Sequence, residues 1–276
     1  FKKKKNMFKK IFIIISILLL IACDGSSLND SDNYDTEFGS YINSKELRIF
    51  AEDGVNESFL IEVGEAYELM LGDSDKIDQS MRSQYLSTTK DEYVFQRVGV
   101  LPDSFDNFSP PTPPSPYADN ATDYIWELAG TDEADDQIGE VIEHLLHTVT
   151  TVILYLSYPV EWDYNDPASA LSLAMQEAVD KGIYDISSYD ELKNDQDYNK
   201  VLTQEYAYWL ILAEWDYFIT ARKKMEGISG NEEFIIGTPS EIASQLPLGH
   251  SLYTDYVEKI ISIPNVESIL GLFPNN

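Results

Sequence analysis

Apolar and polar positions alternate along "KELRIFA", residues 45–51, and along "YVFQRVGVL", residues 93–101, with the period of two expected of a half-buried strand. Elsewhere the apolar positions recur every three or four residues, the period of a helix with one buried side. This spacing predicts a helix over 56–71 with Asn56 as its cap, and a second in "DQSMRSQYLSTT". "SPPTPPSPY", 109–117, can be neither helix nor central strand and reads as a stiff surface connector. Beyond it the pattern is helical: 135–157, 165–182, about 198–226, 239–246, 251–262 and 265–271. In the second of these, Asp166 reads as cap, Pro167 as first turn and Gly182 as stop. The implied class is α+β. It has a small strand-bearing N-terminal lobe over 45–108, a Pro-rich connector over 109–120 and a predominantly helical lobe over 121–276.

The opening residues follow a different pattern. Six lysines precede a twelve-residue apolar run, "IFIIISILLLIA", which is followed by Cys23. Such a run is short of the roughly twenty residues that span a bilayer, and with its basic head it reads as a secretion signal over 1–22, starting naturally at Met7. The junction Leu20-Ile21-Ala22-Cys23 resembles the lipobox of bacterial lipoproteins. The resemblance implies a diacylated Cys23 at a new N-terminus, a partner in the lipid bilayer, and a place on the bacterial cell envelope facing periplasm or exterior. Residues 23–44, rich in Ser, Asp and Asn, then read as a flexible tether.

Charge narrows the partners. Without residues 1–22 the chain has 13 basic and 48 acidic residues, a net charge of −35. Such a surface repels nucleic acid, which is therefore excluded as a partner. Cys23 is the one cysteine, so no intramolecular disulfide forms.

Candidate chemistry concentrates in "GEVIEHLLHTVT", 139–150, which holds two of the three histidines. At about 100° per residue, with Glu140 at zero, Glu143 falls near −60°, His144 near +40° and His147 near −20°. All four share one arc, opposite Ile138, Val141, Ile142, Leu145, Val149, Val152, Ile153 and Leu156. Residues 135–157 include no Lys or Arg, and after Thr148 the helix turns apolar all round, as one passing into a core does. E-H-x-x-H is the zinc-protease pattern H-E-x-x-H with its first two letters exchanged. Glu143 and His147 keep the i, i+4 ligand spacing, with His144 at the position of the general base. Alternatively His144 and His147 are ligands at i, i+3 and Glu143 is the base.

Glu205 supplies a third acid. It enters a helix that is apolar on nearly every side, "TQEYAYWLILAEWDYF", and a carboxylate there is costly unless paired or metal-bound. Arg222 and Lys223 are more than four turns away. The order of "IEHLLHTVT", "SALSLAM" and "QEYAYWLI" over residues 120–220 resembles an uncharacterised, zincin-like group of secreted or lipid-anchored bacterial proteins with E-[EH]-x-x-H and E-Y-x-Y-W helices. Zincins of the glutamate-bearing kind carry a third ligand on a later helix. The resemblance implies that Glu143, His144, His147 and Glu205 form one constellation, and says nothing of peptide cleavage. The first expectation is a zinc ion held by Glu143, His147 and Glu205, with His144 as base, in a hydrolase whose peptide or protein substrate would sit in a cleft between the lobes. The competing expectation is a non-catalytic surface lipoprotein with a binding or structural role. Glu140 and His250 are further candidates for the site, and a two-metal version would use Glu140 and His144. Glu161, Asp163, Trp126, Trp162 and Trp215 are candidates for a cleft mouth, the tryptophans more simply for the core.

Overall fold

A computed structural model describes residues 37–103, 105, 108–117, 120–131, 136–216 and 233–273. The expected signal, Cys23, most of the tether and the end of the long helix with Arg222 and Lys223 lie outside the described residues.

Four strands form one sheet in chain order: β1 (Ser40–Ser44), β2 (Leu47–Ala51), β3 (Phe95–Val100) and β4 (Tyr124–Glu127). β1 and β2 are antiparallel; β2, β3 and β4 run parallel. Two of these strands depart from expectation. β1 occupies the last part of the expected tether. Its turn to β2 puts Lys45 at φ 44° and Glu46 at φ 71°, a geometry that usually advertises itself by Asn-Gly. β4 lies past the Pro-rich stretch, in the part expected to be helical, and its four residues are too few for a period to show.

Between β2 and β3 run α1 (Glu57–Met70) and α2 (Gln79–Asp91). Asn56 stands at the N-cap of α1 but makes no side-chain cap; its backbone N–H donates to Glu127 Oε2 at 3.0 Å. Asp78 caps α2 by accepting from the N–H of Ser80 and Met81. β3 reaches β4 through the Pro-rich segment, which crosses the other face of the sheet. There Tyr117 packs edge-on to Phe50 and Phe95, and Phe108 packs edge-on to Tyr124 and Trp126.

α3 (Gln137–His147) continues as a π-helix over Thr148–Leu154 and ends in α4 (Tyr155–Ser157). The pattern pointed to one regular helix. Thr150 and Thr151 hydroxyls instead donate to the carbonyls of Leu146 and His147, at 2.8 and 2.9 Å. Such back-bonding in a β-branched run favours local widening of the coil. α5 spans Ala170–Asp180, and Ser169, not Asp166, caps it by accepting from Ser172 N–H. Gly182, at φ +65°, stands just past its end as expected. α6 (Tyr198–Glu214) crosses α3. The chain closes with α7 (Pro239–Gln245), α8 (Pro247–Leu252), a π segment over Tyr253–Val257, α9 (Glu258–Ile260) and α10 (Val266–Leu272).

The class is mixed α and β. One apolar core joins Ile42, Ile49 and Val98 of the sheet to Leu145, Trp162, Tyr206, Trp215 and Ile269 of the helices. It is continuous across the Pro-rich segment, so the two expected lobes share an interior. Trp162 and Trp215 belong to that interior and not to a cleft mouth. Among the described residues, no helix is long and apolar enough to cross a membrane.

Candidate metal centre

α3 keeps regular geometry up to His147, so Glu140, Glu143, His144 and His147 stay on one side while Val141, Ile142 and Leu145 fill the core opposite. β4 and α6 face that side. Asp123 precedes β4 and stands two positions before Ile125, which faces the core. The pleat therefore turns Asp123 toward the helices as well. Asp123 Oδ2 lies 3.1 Å from Nδ1 of His147 and 3.1 Å from Nδ1 of His144. Only the first contact has the angle of a hydrogen bond; His144 Nδ1 makes none. Gln204, on α6, donates to the same oxygen at 3.3 Å.

On the other edges of the two rings stand glutamates. His144 Nε2 lies 3.2 Å from Glu140 Oε1, an oxygen that also accepts the backbone N–H of Trp126 at 2.8 Å. His147 Nε2 lies 3.6 Å from Glu205 Oε1, too far for a hydrogen bond. It makes no hydrogen bond at all, although only 1 % of the His147 side chain is exposed. Donor atoms of Glu143, His147 and Glu205 fall within 4.8 Å of one another, as do those of Asp123, His144 and His147. The backbone below is tied down by Thr148, whose hydroxyl donates to Gln96 Oε1 at 2.6 Å, and by Thr151, which donates to Gln204 Oε1 at 3.3 Å.

Electrostatics follow from crowding four carboxylates and two imidazoles. Burial opposes charge on His147, but Asp123 and Glu205 outweigh it and push the ring up to about 9. Burial likewise opposes charge on His144, and the neighbouring carboxylates of Asp123 and Glu140 outweigh it, raising the ring well above the usual histidine range. Asp123 is held well below the carboxylate range: burial would raise it, and His147 and His144 more than reverse that. Glu143 is pushed up to about 6, chiefly by burial. His147 and His144 pull it down, and Glu205 and Glu140 push it further up.

The structure thus brings Glu143, His147 and Glu205 together, with Glu140 and His144 alongside. His144, expected as a base, has carboxylates against both ring nitrogens, which strengthens its hold on a proton. His250 stands elsewhere, its Nδ1 2.8 Å from Glu214 Oε1. Glu214 is nine residues beyond Glu205 on α6, about 13 Å along the axis. Sequence reasoning missed Asp123 and Gln204. Asp123 had no periodic signal around it; Gln204, next to Glu205, could have been noticed as a second polar residue in an apolar helix.

The donor set suits a divalent cation. His147 presents a buried, unpartnered nitrogen between two carboxylates, and Asp123 fixes the ring through its other nitrogen, as residues behind metal-bound histidines do. No protein-family model matches the chain, and neither a curated protein nor a solved structure is significantly similar to it.

Proposed function

We propose that the chain is a lipid-anchored bacterial envelope protein that holds a divalent ion, zinc, through Glu143, His147 and Glu205 in the manner of a zincin. The observation that carries this reading is the Nε2 atom of His147, buried without a hydrogen bond and set between two glutamates. An uncompensated buried nitrogen of this kind costs roughly 1–3 kcal/mol, which a metal ion would relieve. The bound ion would supply Lewis acidity toward a carbonyl or a water, the chemistry of a peptide or protein hydrolase. In that reading Asp123 orients His147 and Glu140 orients His144. Metal analysis of the purified full chain in detergent tests the proposal. Bound zinc is expected, and the ion on the Nε2 side of His147 is lost in Glu143→Ala and Glu205→Ala. A metal-free chain whose stability is indifferent to chelator would overturn it.

A second reading, a non-catalytic surface lipoprotein, is favoured by one observation. His144 stands where a zincin has its general base, and Asp123 and Glu140 lie against its two nitrogens and strengthen its hold on a proton. Metal binding without hydrolysis of any peptide in a mixed-sequence library would select this reading.

A further inference from the structure

His147 has carboxylates on both edges of its ring, and the two sides are built alike. On the Nε2 side stand Glu143 and Glu205; on the Nδ1 side stand Asp123 and His144. Tetrahedral zinc with bonds of about 2.0–2.2 Å puts its donor atoms about 3.3–3.6 Å apart. The contact from His147 Nε2 to Glu205 is 3.6 Å. Those from Asp123 Oδ2 to the two Nδ1 atoms are both 3.1 Å, a few tenths short of that span. Two further atoms on the Nδ1 side, Asp123 Oδ1 and His144 Nδ1, are buried without a hydrogen bond. His144 Nδ1 is close enough to bond Asp123 but misaligned, as expected of a nitrogen whose lone pair is aimed beside the carboxylate rather than at it.

Resting on the metal reading above, we propose that the centre is binuclear, with a second divalent ion held by Asp123, His144 and Nδ1 of His147. The ring of His147 bridges the two ions as an imidazolate. The second ion takes the place of the proton shared by Nδ1 and Asp123, and both N–H protons of the charged ring pass to solvent. His144 loses its Nδ1 proton to solvent and keeps the one facing Glu140. Asp123, with 37 % of its side chain exposed, gives the second ion its route in.

Glu140 remains outside both donor sets, bonded to the backbone of β4, and holds His144 in place.

Zinc titration of the full chain in detergent, with bound metal counted after dialysis against micromolar free zinc, tests the proposal. Two zinc ions per chain are expected. At saturating zinc, one should remain in Asp123→Asn and one in Glu205→Gln. One ion in the unaltered chain, retained in Asp123→Asn, would overturn the second site and leave the first. No ion would overturn both. Two ions that survive both substitutions would be adventitious binding to the acidic surface and would also overturn it. Loading the unaltered chain with copper(II) needs no variant to fold. Exchange-coupled spins, seen as loss of paramagnetic resonance intensity, are expected across the imidazolate. Two full-intensity isolated coppers would overturn the bridge.

Discussion

Glu205 Oε1 stands 3.6 Å from Nε2 of His147, although 58 positions of chain separate the two residues. The contact is made by crossing α6 over the end of α3. It resolves the puzzle of an acid in an apolar helix, since Glu205 faces a buried nitrogen that has no hydrogen bond. In Glu205→Gln, zinc affinity at the Nε2 side should fall by at least about 100-fold, beyond what loss of a merely orienting residue costs. Equilibrium dialysis against a competing chelator measures this; affinity within about threefold of the unaltered chain would remove Glu205 from the ligand set.

The chelated protein should lose stability as pH rises. Its His147 ring sits at about 9, above the ordinary 6.5. A raised histidine contributes stability that is fully present below about 6.5 and fades as pH climbs through about 9. Thermal unfolding of the metal-free chain should therefore show a falling Tm between those values, and His147→Gln should flatten the slope. An equally steep slope in the variant would assign it to other groups.

Zinc should reverse that trend. A ring that binds metal must give up its protons, so zinc affinity rises over the same interval in which the metal-free fold weakens. Zinc at a hundred times its dissociation constant stabilises a fold by about 2.7 kcal/mol. Calorimetric scans at pH 7 and pH 9 with and without zinc should show the larger increment at pH 9. Equal increments would argue against a histidine ligand.

Gly99 marks a tight approach on the outer face of the sheet. A Cβ there would lie 2.6 Å from Cζ3 of Trp126, whose ring is stacked on Tyr124 at 4.5 Å. Gly99→Ala should destabilise the protein by about 1–3 kcal/mol, the usual cost of overpacking. Chemical denaturation followed by tryptophan fluorescence reads both the loss and the displaced ring; an unchanged midpoint would mean that Trp126 yields freely.

Much of the helical framework was legible along the chain. The period of three and four fixes which side of α3 is buried. That in turn puts Glu140, Glu143, His144 and His147 on one arc whatever the neighbours do, because consecutive residues of a helix share one covalent geometry. Asp78 as the start of α2 and Gly182 as the stop of α5 were readable for the same local reason. Local rules failed where long-range contacts set the outcome. β1 follows a Lys-Glu turn that carries no turn signature, and β4 is four residues long; each exists because it pairs with a neighbouring strand.

The sequence by itself determined the donors on one helix face and the misplaced acid at Glu205. Only the tertiary structure decided what they face. Parallel pairing of β3 with β4 carries Asp123 to the histidines, and the crossing of α6 brings Glu205 and Gln204 to the other edge. It also set part of the environment of His144, whose hold on a proton is strengthened by Asp123, a carboxylate that arrives from outside the helix. Helix periodicity is a property of adjacent residues, whereas a site's electrostatics belongs to groups brought together only by packing.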